Sequence, residues 1–443
     1  MRLGRYFLFS LLGIIVSSVL AIGQNQEVIL HRFQLSDGAG PQGSLIADPE
    51  GNLYGMTNAG GDGPCTYNRL PSGCGTIFEL SPRSGGGWSE QILYSFQGGT
   101  DGAFPLDAGL VSDQLGNLYG TTSAGGIAGN CPGSGSPGCG TAFELSPPSQ
   151  PGGVWSETVL YRFTNGLDGS YPRGSLVLDQ IGDLYGTTND GGLGGGVVFE
   201  LTPSSGGGWT ETTLHVFGGG KDGYLPVAGL IFDLAGNLYG TTAGGGGSQN
   251  CNYGCGTVFQ LAPPESAGGQ WTERIVYSFQ GGADGRFPSE SLLLIYGSLV
   301  GTTENGGQYG MGTVFQIMQT PHGIVEVVLY SFQGGNDGFW PLGLVADNKI
   351  NLYGATAFGG SGNCPTGPGC GTVFRLSPPT PPGGQWIKQI LYTFQDGEDG
   401  FVPWGTLLLG NGWLVGGTVS GGGSQNCSTN GIIGCGAIFA VHP

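Results

Sequence analysis

Seven Asp-Gly-x-x-Pro segments, beginning at Asp37, Asp101, Asp168, Asp222, Asp284, Asp337 and Asp399, set one carboxylate at the same point of a recurring unit. Two chemistries fit. Asp-Gly opens a tight turn and Pro fixes the entry to the next strand, or the seven carboxylates act together as an anionic ring for calcium or a cationic group. A residue present in every unit serves that unit's structure first, so turn formation is the reading taken. Residues that break the repeat are better candidates for chemistry. The position before the proline holds Phe104, Tyr171, Phe287 and Trp340, with Tyr224, Phe339 and Trp404 nearby. Arg173, Lys221 and Arg286 are the few cations beside them. Aromatics interleaved with carboxylates suit a sugar ring, whose C–H faces stack while its hydroxyls bond to acids. The competing reading is that these rings pack between units.

No catalytic constellation is visible. Of the four histidines, His31 and His215 replace a repeated Tyr, and His322 and His442 stand apart. His-Glu-x-x-His, Gly-x-Ser-x-Gly and Gly-Lys-Ser/Thr are all missing, so zinc-protease, hydrolase-elbow and P-loop chemistry lack their signatures. Glycine runs such as 244–248 lack the lysine and following helix of a phosphate cradle. A quinone-cofactor dehydrogenase would need a basic, His-bearing pocket, for which the sequence offers no cluster. No cofactor is expected, calcium at the Asp ring being the one candidate. A glycosidase needs only two carboxylates about 5–10 Å apart, and 31 acidic residues leave that possibility open.

The elements that position these groups form one repeating unit. Tyr94-Ser-Phe96 recurs as Tyr161-Arg-Phe163, His215-Val-Phe217, Tyr277-Ser-Phe279, Tyr330-Ser-Phe332 and Tyr392-Thr-Phe394, with a first copy at His31-Arg-Phe33. Each is followed by Asp-Gly-x-x-Pro, an apolar stretch such as 109–113, and a string such as Asn117-Leu-Tyr-Gly-Thr-Thr122. A glycine-rich loop then leads to Gly-Thr-Val-Phe, ending at Phe78, Phe143, Phe199, Phe259, Phe315, Phe374 and Phe439. Four short strands per unit follow from the β-branched and aromatic content between Gly, Pro, Asn and Asp. We label them A (as in 109–113), B (117–122), C (140–146) and D (155–163). A short Gly-containing loop joins A to B as an antiparallel hairpin, and Asp48, Asp113, Asp179, Asp233 and Asp347 read as Asx turns there. Glu79, Glu144 and Glu200 on C strands and Glu90, Glu157, Glu211 and Glu273 on D strands read as solvated.

Four antiparallel strands per unit of about 60 residues, in seven copies, predict an all-β, seven-bladed β-propeller. The repeats run at about 34–96, 97–163, 164–217, 218–279, 280–332, 333–394 and 395–443, within a single domain over 24–443. The last unit lacks a D strand, and residues 27–33 form a D strand with nothing before it. Pairing them closes the ring and leaves no unpaired edge at the seam. D-to-A and B-to-C connections then share one end of the blades, so the Asp-Gly-x-x-Pro segments crowd the same face as the B–C loops.

The string Asp-Gly-x-x-Pro … Gly-Asn-Leu-Tyr-Gly-Thr-Thr … Gly-Gly … Gly-Thr-Val-Phe-x-Leu resembles the bacterial GloVer (Gloeo/Verruco) tandem repeat. The resemblance implies an exported bacterial protein, often with a C-terminal sorting anchor, and carries no established activity. The chain departs from it by ending at Pro443 without a hydrophobic tail. Gly297-Ser-Leu-Val-Gly301 and Gly412-Trp-Leu-Val-Gly416 also stand where other units have Leu-Tyr-Gly.

Ten cysteines fall in pairs inside five B–C loops: Cys65–Cys74, Cys131–Cys139, Cys251–Cys255, Cys364–Cys370 and Cys427–Cys435. In an exported chain these read as local disulfides, not zinc ligands, because zinc needs three or four donors together. Arg2 and Arg5, an uncharged apolar run from Tyr6 to Leu20 and small residues at Ala21 and Gly23 compose a secretory signal over residues 1–23. The run is shorter than the roughly 20 residues of a membrane span, and the mature chain has no other candidate. A net charge of −18 without basic clusters argues against nucleic acid as a partner. The sequence thus points to a secreted, periplasmic or cell-surface protein, expected as a monomer. The function expected is a non-catalytic binding or scaffold module for a glycan or extracellular protein. The alternative is a carbohydrate-active hydrolase or lyase using carboxylates of the loop-rich face. An enzyme should show one or two acids with raised pKa in a central concavity. A binding module should show turn-bonded Asp and exposed aromatics.

Overall fold

The computed structural model describes residues 27–443 apart from 68–69, 133–136, 151, 267, 363, 365–366, 382, 396 and 428–433. The proposed signal segment, 1–23, lies outside the described residues. Seven antiparallel sheets run in the order A-B-C-D. In blade 2 the strands are Val111–Ser112, Leu118–Thr122, Thr141–Ser146 and Ser156–Arg162. Blade 7 is completed from the other end of the chain. Glu27–Arg32 pairs antiparallel with Ala437–Val441, Glu27 opposite Val441, and becomes its outermost strand. The fold is a closed seven-bladed propeller.

The repeated aromatics explain the stacking of blades. The D-strand Phe of each blade meets the C-strand Phe of the next edge to face, as in Phe33–Phe78, Phe96–Phe143 and Phe394–Phe439. The other four seams repeat the contact, and all seven centroid distances fall between 4.9 and 5.3 Å. Each ring is fully buried, and such a pair adds about 0.5–1.5 kcal/mol beyond area burial. Strand B carries glycine opposite the C-strand Phe because the ring lies on its backbone. A Cβ on Gly120 would fall 2.7 Å from Phe143 Cζ.

Backbone bonds latch the blades on the loop-rich face. The residue before each proline has a left-handed φ, from 54° at Phe104 to 62° at Gly40. Its N–H donates to a carbonyl at the start of the preceding blade's C strand, as Phe104 to Cys74 (2.8 Å) and Phe287 to Cys255 (2.9 Å). The five expected disulfides all form. In each bridged loop the second cysteine supplies the accepting carbonyl: Cys74, Cys139, Cys255, Cys370 and Cys435.

Candidate functional site

The seven Asp-Gly-x-x-Pro aspartates are spread around the ring, one to a seam. Asp101 accepts the Tyr94 hydroxyl (3.1 Å) and the Gln97 N–H (2.7 Å) on Oδ2 and its neighbour Gly102's N–H on Oδ1. Asp168, Asp284, Asp337 and Asp399 likewise take a Tyr hydroxyl and a backbone N–H. Asp37 and Asp222 face His31 and His215 instead. Among the described residues no three of these carboxylates come within 4.8 Å of one another. The second Asp series forms the Asx turns of the A–B hairpins, with Asp113 accepting from Leu115 N, Asn117 N and Nδ2, and the Tyr119 hydroxyl.

The D-strand glutamates are not solvated as the sequence suggested. Each enters the seam beside the preceding blade's Tyr or His. Glu90, Glu157 and Glu273 each bury an Oε1 without a hydrogen-bond partner, as do Glu27 and Glu326 at the same position. Burial, with the neighbouring Asp101 charge, pushes Glu157 up to about 7. Burial, with Asp399, pushes Glu27 up to about 8. Burial also raises Glu211, against the Thr213 hydrogen bond. The interblade location follows from the pairing of blades, which the repeat position alone does not reveal.

The candidate aromatics and cations divide by place. Phe104 and Tyr171 pack against the interblade clusters. The Arg286 guanidinium lies 5.4 Å from the Phe287 ring centroid. Tyr224 stacks on the exposed Tyr253 (5.9 Å) beside an open groove of about 330 Å³ between the loops of blades 3 and 4. Lys221 runs alongside Gly247 in the same loops. Trp340 and Trp404 stand 6.3 Å apart, both packed around buried Leu342.

Trp404 and Arg173 lead to the centre of the ring. The Trp404 indole donates to Asp107 Oδ1 (2.7 Å), while Arg173 donates to Oδ2 through Nε (2.9 Å) and through its terminal nitrogen. Asp107 belongs to blade 2, Arg173 to blade 3 and Trp404 to blade 7, so their contact marks the axis. Glu290 and Glu304 of blade 5 join them. Burial, then the charges of Asp107 and Glu304, push Glu290 up to about 8, against a hydrogen bond from the Gly343 N–H. Burial also raises Glu304, although the Ser289 hydroxyl and Arg173 work to lower it. Gln42, one residue after its proline like Arg173 and Trp404, buries an Oε1 with no partner.

Asp107, Glu290 and Glu304 were not among the candidates drawn from the sequence. The signal existed two residues past the proline. Five units hold Gly43, Gly174, Ala228, Gly343 and Gly405 there, and only blades 2 and 5 carry an acid. The small residues are required because inner strands touch at the axis: a Cβ on Gly343 would lie 1.9 Å from Thr406 Oγ1 and 3.3 Å from Glu290 Oε2. The arrangement combines an ion-paired carboxylate, a carboxyl kept protonated near neutrality and two indoles, which can bind a polyhydroxylated ring and supply a proton.

Among solved structures, the chain is similar to a putative oxidoreductase (glucose dehydrogenase) from Thermus thermophilus, with 15% identity, TM-score 0.42, and coverage of 94% of this chain and 99% of that one. It is similar to Pseudomonas fluorescens PhoX in complex with vanadate, at 12% identity and TM-score 0.44, covering 94% of each chain. The aldose sugar dehydrogenase of Streptomyces coelicolor in its PQQ-bound form matches at 14% identity and TM-score 0.41, over 94% of this chain and 98% of that one. No curated protein matches the sequence. Residues 248–430, from the cysteine loop of blade 4 to that of blade 7, match the Gloeobacter/Verrucomicrobia repeat.

Proposed function

We propose that this propeller is an exported carbohydrate-recognition protein whose ligand sits over the ring axis. The observation that carries the reading is the convergence of four blades on one carboxylate, with Asp107 held by Arg173 and Trp404 beside Glu290. Fixed acceptors beside an indole wall offer a sugar both hydroxyl partners and a stacking face. Five disulfides support an oxidising compartment. Among the described residues no helix is long and apolar enough to cross a membrane.

One observation favours a second reading, turnover of that glycan. Two neighbouring carboxyl groups whose surroundings separate their protonation are the arrangement of acid–base catalysis. Glu290 would give its proton to the departing glycosidic oxygen as the C–O bond breaks. Asp107 would stabilise the positive charge at the anomeric carbon or direct the incoming water. Thermal melting of the purified protein against a glycan panel tests recognition, since a ligand of the folded state raises Tm. The shifting glycan should lose its effect in Asp107→Asn or Trp404→Phe, and a shift that survives both substitutions overturns the axial placement. Reducing-end release that disappears in Glu290→Gln while binding persists would establish turnover.

A further inference from the structure

At two of the seven seams a histidine stands where the other five have tyrosine. His31, Asp37 and Glu90 meet at the junction of blades 7 and 1, and His215, Asp222 and Glu273 at that of blades 3 and 4. We propose that each triad is a binding site for a divalent transition-metal ion, zinc in the first instance, which clasps two adjacent blades together. In each triad one donor atom per residue lies within 4.8 Å of the other two. His31 Nε2 is 3.1 Å from Asp37 Oδ2, and His215 Nε2 is 3.4 Å from Asp222 Oδ1. Donors around tetrahedral zinc stand about 3.3 Å apart, so the imidazole–carboxylate edge is already set and a rotation of the glutamate closes the triangle.

A second observation concerns the same two glutamates. Glu90 and Glu273 each bury an Oε1 that has no hydrogen-bond partner, an uncompensated polar atom that a cation would satisfy. At the tyrosine seams the aspartate takes a phenolic proton, as from Tyr161 to Asp168, and no imidazole stands beside it. Replacing phenol by imidazole supplies a ligand whose Nε2 proton a metal displaces, completing one nitrogen and two carboxylate donors and leaving the fourth position to water. The two seams are placed where a clasp matters. The first joins the chain's first strand to blade 1. The second follows blade 3, whose B–C loop has no cysteines.

The test is zinc titration by calorimetry on purified protein free of any histidine tag, beside His31→Tyr, His215→Tyr and the double variant. Each substitution installs the residue found at the five sibling positions, so the blades should fold. The expected stoichiometry is two saturable sites in the parent, one in each single variant and none in the double. The zinc-induced rise in Tm should be lost in step. No saturable binding by the parent, or unchanged stoichiometry in the double variant, overturns the proposal. A single variant that keeps both sites removes its seam from it.

Discussion

Asp107 takes the Trp404 indole on one carboxylate oxygen and the Arg173 guanidinium on the other, joining blades 2, 3 and 7 across the axis. The charge so fixed is one cause, after burial, of the high protonation of Glu290. Asp107→Asn keeps the shape and an acceptor for the indole while removing that charge. The Glu290 pKa should therefore fall from about 8 toward the ordinary carboxyl range, yet stay above it because burial remains. Carboxyl-carbon NMR titration of the two proteins reads this directly, and coincident curves would show that the two groups do not face each other.

The seam glutamates predict an acid-shifted stability optimum. Glu157 and Glu326 rise to about 7 and Glu27 to about 8, burial being the leading cause in each. These carboxyls hold their protons more tightly folded than unfolded. Their contribution is complete below an unfolded value near 4.5 and is lost as pH rises through 7 and 8. Asp222, Asp233 and Asp347 act oppositely. Burial opposes their ionisation, but hydrogen bonds from His215, Asn237 and Asn351 and from nearby backbone N–H groups outweigh it and lower their pKa. Their contribution is complete above about pH 4 and lost as pH falls below it. Urea midpoints from pH 3 to 9 should peak near pH 4–5, and Glu157→Gln with Glu326→Gln should flatten the alkaline decline. A maximum above pH 7 would contradict this account.

Lys388 holds the seam-glutamate position between blades 5 and 6. Its Nζ donates to Asp337 Oδ1 at 2.9 Å and lies 4.4 Å from the Phe332 ring centroid, with only 4% of the side chain exposed. Removing one partner of a buried pair costs about 3–5 kcal/mol, so Lys388→Met should be strongly destabilising. Lys388→Glu recreates the six sibling seams and should cost less at pH 5, where that glutamate is protonated, than at pH 8. Equal losses at the two pH values would separate this seam from its siblings.

Blade count, strand order, ring closure and cysteine pairing were legible in the sequence because each repeats a local cause: Phe every 53 to 67 residues, Gly where a ring covers the strand, and two cysteines per loop. The axial cluster was not. Asp107, Glu290 and Glu304 are distant in sequence, and only the closed ring brings three acids, Arg173 and Trp404 together. The aromatics before the prolines drew attention by type, yet the left-handed φ and carbonyl latch of Phe104 belong to blade joining. Repeat-breaking acids two residues past the prolines were the better guide.

Ring closure makes the last seam mechanically equivalent to an interior one, and this can be measured. Phe33 is buried against Phe78 (5.1 Å) as Phe96 is against Phe143 (5.3 Å). Its N–H donates to Gly436 (3.1 Å) as that of Phe96 does to Gly75 (3.0 Å). Truncating a core Phe to Ala costs about 3–5 kcal/mol. In a closed ring Phe33→Ala and Phe96→Ala should both fall in that range and agree within about 1 kcal/mol, because each opens one of seven like joints. A terminal strand that merely rested on the fold could fray without unfolding the rest, so Phe33→Ala would then cost little. Equilibrium urea unfolding of the two variants decides the point. A full loss at Phe96 with almost none at Phe33 would mean that the seam between blades 7 and 1 is open in solution.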